Sequence, residues 1–358
     1  MRDASTRERR LEELRAEALE RGHVSANGAH PSGAPFPRAT AEEGYYGLPL
    51  LKEPGWTWEV PLYLFLGGAA GASAVVGAAA RLAGEDERLS DHARGIVALG
   101  GGLSTALLVS DLGRPARFLH MLRVFKPQSP MSVGAWTLTA FASSSAAAAL
   151  ARRLRRHATG RSGPRRPLAI VQDAGDALAA LSGLSMACYT GVLLGATTVP
   201  AWNRSVRLLP PHFAAAGLGS AVGLLELLGH RARGLNRAGL AAALAETAIG
   251  AWHELEGDRA LAPLKRGKSG LCARAGLLLS GPIGLGLRLF GRRRAAAASA
   301  LAGSLLSRIG WMAAGKVSSR ERAPTLDGQT PRELSSGNGS GVDHPSREAV
   351  RSLGPSDR

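Results

Sequence analysis

The stretch DLGRPARFLHMLRVFKPQSPMSVG, residues 111–134, decides how the rest of this chain is interpreted. Acidic, basic, aromatic and proline residues crowd together in it, between two long uncharged runs. GIVALGGGLSTALLVS precedes it and AWTLTAFASSSAAAAL follows it. A polar segment held between apolar ones is either an exposed connector or a functional loop at a membrane surface.

The uncharged runs beside this loop belong to a longer series. Crossing a bilayer core takes about 20 apolar residues. The formal net charge of the 358-residue chain is +16, and its arginines cluster between the apolar runs, as in loops that flank membrane spans. The sequence therefore predicts an all-α, polytopic transmembrane helical bundle of about eight spans. The spans are expected at residues 60–80, 95–110, 127–151, 177–203, 208–225, 238–255, 271–290 and 295–315.

Polar tails are predicted on both sides of the bundle. Residues 1–55 form a polar N-terminal tail with a possible partner-docking segment, residues 56–317 the transmembrane domain, and residues 318–358 a disordered C-terminal tail. The first residues contain no apolar stretch of the kind found in cleavable signal peptides, so insertion is expected to rely on the internal spans. Lysine and arginine favour the odd-numbered loops, which predicts that the 111–134 loop lies outside the cytoplasm.

Several functional classes are disfavoured by composition. Cys188 and Cys272 are isolated from each other, so this chain by itself is not expected to ligate an iron–sulfur cluster or zinc. Nucleic-acid-binding signatures are missing, and no nucleic acid is expected. No predicted span has a central histidine, which disfavours a haem-b-type quinol subunit, although this remains an alternative. A secondary transporter is a further alternative, supported by the Gly/Pro-broken run SGPIGLG in the seventh span.

The loop strongly resembles the signature loop of the NrfD/PsrC family, the integral membrane subunit of polysulfide-reductase-like complexes. WTWEVPLYLFLGGAAGAS (56–73), YTGVLLGATTVPAWNR (189–204) and LAGSLLSRIGWMAAGK (301–316) are similar to the family in the same order. The resemblance implies binding of menaquinone or ubiquinone, with no haem or metal in this chain. It also implies docking of a ferredoxin-like 4Fe–4S subunit, connected to a molybdopterin or multihaem catalytic subunit.

Under this resemblance the chain is expected in a bacterial cytoplasmic membrane, as a multi-pass subunit of a quinone-linked electron-transport complex of anaerobic respiration. Alone it is expected to be inactive. Because ionisable residues at membrane depth are costly, each is a functional candidate. The candidates for quinone binding and proton transfer are Asp111, Arg114, His120 and Glu59, the last being the acid that the family motif places there. The candidates for docking the iron–sulfur partner are Arg117, Phe118, Arg123, Phe125 and Lys126.

A proton route is a further hypothesis for the second half of the bundle. Glu226 and His230 are four residues apart near the end of the fifth span, and Glu246 and His253 are seven apart on the sixth. Such pairs suit a chain of proton carriers. The alternative is that they form structural ion pairs with Arg274 or Arg308.

Overall fold

The computed structural model describes residues 51, 53–112, 115–157 and 165–320. This part of the chain is α-helical without strands, and it contains eight long helices, which we number α1 to α8. Their bounds are Glu59–Leu82, Glu87–Asp111, Pro130–His157, Arg165–Gly195, Leu209–Leu227, Arg233–Leu255, Gly267–Leu289 and Arg293–Arg320. The predicted all-α polytopic bundle is confirmed.

Five of the helices, α1 to α4 and α7, are long and apolar enough to cross a membrane. Helices α1 to α4 pack together as a first bundle, and α5 to α8 as a second. The two bundles meet where α5 contacts α1 and α4, and where α8 contacts α1. Between α1 and α4 the backbones approach closely, since a Cβ at Gly71 would lie 2.5 Å from the carbonyl oxygen of Gly183. Small residues permit this packing of helices in lipid.

The fourth helix differs from its predicted bounds of 177–203. It begins at Arg165 and ends at Gly195, and a separate short helix spans Pro200–Arg204. The prediction stopped at charged residues, but Asp176 is held within α4 by Arg94 of α2, with 2.7 Å between Oδ2 and Nη2. Arg81 of α1 contacts the same carboxylate at 2.8 Å. Paired charges therefore lie inside the helix rather than outside it.

The observed end of α8 lies close to the predicted start of the C-terminal tail. Helix α8 ends at Arg320, and Ser318 and Ser319 are buried, so the helical domain continues three residues beyond the predicted boundary. Residues 1–50 and 321–358, which hold most of the two predicted tails, lie outside the described residues.

Candidate functional site

The 111–134 loop covers one end of the first bundle. A short helix, Pro115–Met121, follows α2, and α3 begins at Pro130. Proline suits a first helical position, since the N–H that it lacks would have no partner there. Beneath the loop lies a cavity of about 370 Å³, which falls in the usual range for small-molecule sites.

All four helices of the first bundle contribute to the wall of this cavity. Most lining side chains are apolar, and a few polar ones stand among them. The polar side chains are Tyr63, Ser104, Asp111, Ser129, Tyr189 and Thr197. An apolar wall with a few fixed polar groups is the usual composition of a site that orients a small apolar ligand.

Asp111 ends α2 and lines the cavity. Its Oδ1 accepts a hydrogen bond from the Thr57 hydroxyl at 3.0 Å, which ties the segment before α1 to the end of α2. Arg114, another candidate for the quinone site, lies outside the described part of the chain. The structure thus places a carboxylate, held by a neutral donor, in a mostly apolar wall.

Sequence reasoning missed the two tyrosines of the cavity. Tyr63 lies on α1, and Tyr189 on α4 donates its hydroxyl to the Pro130 carbonyl at 3.0 Å. The Tyr189 ring fits only because residue 134 is glycine, since a Cβ there would lie 2.0 Å from the Tyr189 hydroxyl oxygen. Tyr63 and Tyr189 both stand inside the quoted stretches 56–73 and 189–204, but nothing in the sequence alone shows that they face each other.

Two other predicted quinone-site residues stand outside the cavity lining. His120 is exposed on the Pro115–Met121 helix. Glu59 begins α1, one turn before Tyr63, and its Oε2 is buried without a hydrogen-bond partner among the described residues. A buried carboxylate oxygen without a partner is rare in folded proteins.

The predicted docking residues share the outer surface of the loop. Arg117, Arg123, Phe125 and Lys126 are exposed and Phe118 is half-buried. The Phe125 ring packs edge-on against the Trp136 ring, with 6.2 Å between centroids. Met121 and Ser129, which lie on either side of Arg123, Phe125 and Lys126 in the chain, line the cavity.

The second bundle contains a buried polar network around Glu246. His212 lies in the first turn of α5 and was not singled out from the sequence. It is fully buried, and its Nδ1 lies 3.0 Å from Glu246 Oε1. Ser280 donates a hydrogen bond to Glu246 Oε2 at 2.7 Å. The Ser307 hydroxyl lies 2.8 Å from His212 Nε2. Both nitrogens of His212 are therefore in contact with polar partners.

Glu226 forms a separate buried ion pair. Arg288 of α7 contacts it with 2.9 Å between Nη1 and Oε1, and both side chains are almost fully buried. The structural partners named from the sequence were wrong, since Arg274 pairs with Glu254 and Arg308 donates to Ser304. Partner choice depends on how the helices pack, which the sequence pattern does not show.

The two predicted histidines have different surroundings. His230 does not share a helix face with Glu226, because α5 ends at Leu227 and Gly229 adopts φ +98°, a left-handed turn that suits glycine. Its Nε2 lies 2.8 Å from Nδ1 of His92. His253 is buried against Trp311, with 5.2 Å between ring centroids.

The cavity and its loop lie within a segment that matches a known family. Residues 52–247 match the family described as Polysulphide reductase, NrfD, and this segment is more than half of the 358-residue chain. The chain belongs to the NrfD family. A search of curated proteins gives no match.

NrfD proteins are membrane subunits of polysulfide-reductase-like complexes, and they associate with catalytic and iron–sulfur subunits. This chain is accordingly an integral membrane protein. The NrfD match ends within α6, so the quoted likeness of residues 301–316 lies beyond it.

Proposed function

We propose that this chain is the quinone-binding, membrane-anchoring subunit of a multi-subunit oxidoreductase in a bacterial cytoplasmic membrane. The observation that carries the proposal is the cavity of about 370 Å³ that reaches from the apolar interior of the first bundle to Asp111 under the loop. Its apolar walls suit the ring and tail of menaquinone or ubiquinone, and its polar groups suit the ring oxygens.

The chain's own residues then supply binding and proton transfer. Quinol oxidation releases two protons and two electrons. Asp111 accepts a proton at its carboxylate, and Glu59, one turn from Tyr63, offers a second carboxylate, of which the Oε2 atom is buried. The Tyr63 hydroxyl donates a hydrogen bond to the ligand. Tyr189, fixed through its hydroxyl to the Pro130 carbonyl, forms a rigid wall.

The electrons pass to or from a ferredoxin-like 4Fe–4S subunit seated on the outer surface of the loop. The surface formed by Arg117, Arg123 and Lys126 with Phe118 and Phe125 supports this, because basic residues steer an acidic partner and aromatic ones anchor it. That partner would connect to a molybdopterin or multihaem catalytic subunit, and the whole complex would serve anaerobic respiration.

Binding of a quinol analogue tests the proposal directly. Fluorescence quenching measures the affinity of the purified chain for a hydroxyquinoline N-oxide. This affinity should fall at least tenfold in Gly134→Leu, because the leucine displaces Tyr189 and fills the cavity. Gly102→Leu is the matched control, since nothing lies within 4 Å of a Cβ added there. Asp111→Asn, which keeps shape and removes charge, should also weaken binding. Unchanged affinity in both cavity variants would refute the proposal.

A haem-b-type subunit is less well supported. Of the two buried histidines of the second bundle, His212 has Nδ1 3.0 Å from Glu246 and Nε2 2.8 Å from Ser307, so polar side chains occupy both positions from which its ring could bind haem iron. The transporter alternative rests on α7, whose five-residue π-helical segment Leu279–Ile283 contains Pro282. The Ser280 hydroxyl of that segment already donates a hydrogen bond to Glu246, so it does not support a substrate site there. A b-type spectrum of the purified chain would reinstate the haem alternative.

The second bundle supports a proton route as an accessory function. His253 and His212 both pack on Trp311, and His212 contacts Glu246. A small cavity of about 10 Å³, close to the volume that one water needs, lies between Glu246 and Arg288. Arg288 in turn contacts Glu226. Glu226 and His230 both line an open cavity on the face of the protein opposite to the 111–134 loop.

The number of protons translocated per electron, measured in liposomes, tests this route. The intact complex in liposomes should lose proton translocation in Glu246→Gln while it keeps quinol oxidation. Glu254→Gln, on the same helix but exposed and paired with Arg274, is the matched control and should behave as wild type. An unchanged proton-to-electron ratio in Glu246→Gln would exclude Glu246 from any proton route.

A further inference from the structure

A second large cavity opens on the face opposite to the 111–134 loop. It has a volume of about 710 Å³ and lies between the α5–α6 connector and the α7–α8 connector. Its lining residues are Glu226, residues 229–231 and residues 291–295. Neither the quinone site nor the docking surface includes any of them.

The two connectors share one sequence pattern. LLGHRAR (227–233) and LFGRRR (289–294) each have two large apolar residues, one glycine and then basic residues. The apolar pairs are exposed, with Leu228 at 52% and Phe290 at 85% of full accessibility. Both glycines have positive φ, +98° at Gly229 and +72° at Gly291. Each connector therefore turns sharply, with apolar side chains before the turn and basic ones after it at the cavity.

The cavity carries a surplus of positive charge. Arg231, Arg292, Arg293 and Arg294 line it, and within the described part of the chain none of the four forms an ion pair with a carboxylate. Glu226 also lines it, but its carboxylate is engaged by Arg288 at 2.9 Å.

The start of α8 adds to this charge. Helix α8 begins at Arg293. The Arg293 N–H donates to the Gly291 carbonyl, while those of Arg294 and Ala295 have no acceptor within the helix, and such groups favour anions. Arg293 also donates to the Arg231 carbonyl at 3.1 Å, which holds the two connectors together across the cavity. A phosphate group in this cavity would meet guanidinium groups from both connectors.

We propose that this cavity binds the headgroup of a diphosphate phospholipid of the cardiolipin type. Four arginines match two phosphates better than one, because a single phosphate would leave much of the charge unpaired. The exposed Leu228, Leu289 and Phe290 come directly before the lining glycines of the two connectors, where acyl chains would cover them. Basic cavities between transmembrane helices at a membrane surface favour such lipids.

Lipid affinity of the full-length purified chain tests the proposal. In native mass spectrometry, with delipidated chain and added lipid, we expect cardiolipin to bind at least tenfold more tightly than phosphatidylglycerol, and phosphatidylethanolamine to bind more weakly still. The paired substitution Arg292→Gln with Arg294→Gln should reduce cardiolipin affinity at least tenfold. Arg207→Gln with Arg259→Gln, which removes two exposed charges from connectors at the other face, is the matched control and should leave affinity unchanged.

Two further measurements distinguish a lipid headgroup from free inorganic phosphate as the bound group. Inorganic phosphate at millimolar concentration should not displace cardiolipin, and Phe290→Ser should weaken cardiolipin binding through loss of the apolar rim. Equal affinity for cardiolipin and phosphatidylethanolamine would overturn the proposal, and so would full displacement by inorganic phosphate. If the paired arginine variant does not fold, the relative affinities of the wild-type chain for the three lipids still test the proposal. None of these measurements depends on quinone binding.

Discussion

Replacement of Gly134 by alanine should destabilise the chain through Tyr189. The new Cβ would lie 2.0 Å from the tyrosine oxygen and 2.1 Å from Cζ, whereas real contacts stay above 3.0 Å. The ring must therefore move by about 1 Å, and its hydrogen bond to the Pro130 carbonyl is lost. Overpacking costs about 1–3 kcal/mol and the lost hydrogen bond about 0.5–1.5 kcal/mol, so the free energy of unfolding should fall by roughly 1.5–4.5 kcal/mol.

Gly102→Ala provides the contrast, since it is also helical but has open space around it. There alanine should be neutral or stabilise by up to about 1 kcal/mol, through helix propensity alone. Unfolding free energies from denaturant titration in mixed micelles measure both. In a Tyr189→Leu background the clash is absent, so the cost of Gly134→Ala should largely disappear. An equal cost in both backgrounds would refute the contact between Gly134 and Tyr189.

Three further outcomes are expected, each measured by unfolding in mixed micelles. Arg288→Met should cost about 3–5 kcal/mol because it leaves the Glu226 carboxylate buried and unpaired, and adding Glu226→Gln should recover most of that loss. Burial and the adjacent His92 hold the pKa of His230 below its ordinary value, so stability should fall as pH drops below about 6.5, and His230→Gln should remove that dependence. Arg274→Gln should cost at most about 1 kcal/mol, because its ion pair with a carboxylate of α6 is exposed. A large loss in Arg274→Gln, or no recovery in the Arg288 double variant, would contradict this reasoning.

The architecture could be predicted from the sequence because apolar run length is a direct consequence of membrane thickness. Each of the eight expected spans corresponds to a long helix. The predicted start of α4 was wrong for a physical reason. Asp173 and Asp176 interrupt the apolar run, yet Arg81 and Arg94 from other helices pair with them. Whether a charge ends a helix or is neutralised within it depends on tertiary contacts that no single segment encodes.

The candidate cavity was predictable only in its location. The mixed polar loop between two apolar runs indicated the end of the bundle at which to expect it, and Asp111 does line the cavity. His120 looked equally suited by residue type, but it stands on the exposed face of the Pro115–Met121 helix. Tyr63 and Tyr189 resembled ordinary interior residues. Residue type therefore indicates capability, whereas the rotation of each helix decides which side chains reach the cavity.

The difference between residue type and helix packing also explains how much of the second bundle could be predicted from the sequence. Glu226 and Glu246 stood out because a carboxylate at membrane depth is costly unless it is paired. Their partners, Arg288 and His212, are supplied by other helices, and Arg288 reaches Glu226 past Gly239, where a Cβ would lie 2.2 Å from the guanidinium carbon. Sequence can thus identify which charges need neutralising, while the small residues that allow partners to approach become meaningful only after the helices are packed. An alanine at Gly239 would test this point, since it should disrupt the Glu226 ion pair without altering either charged residue.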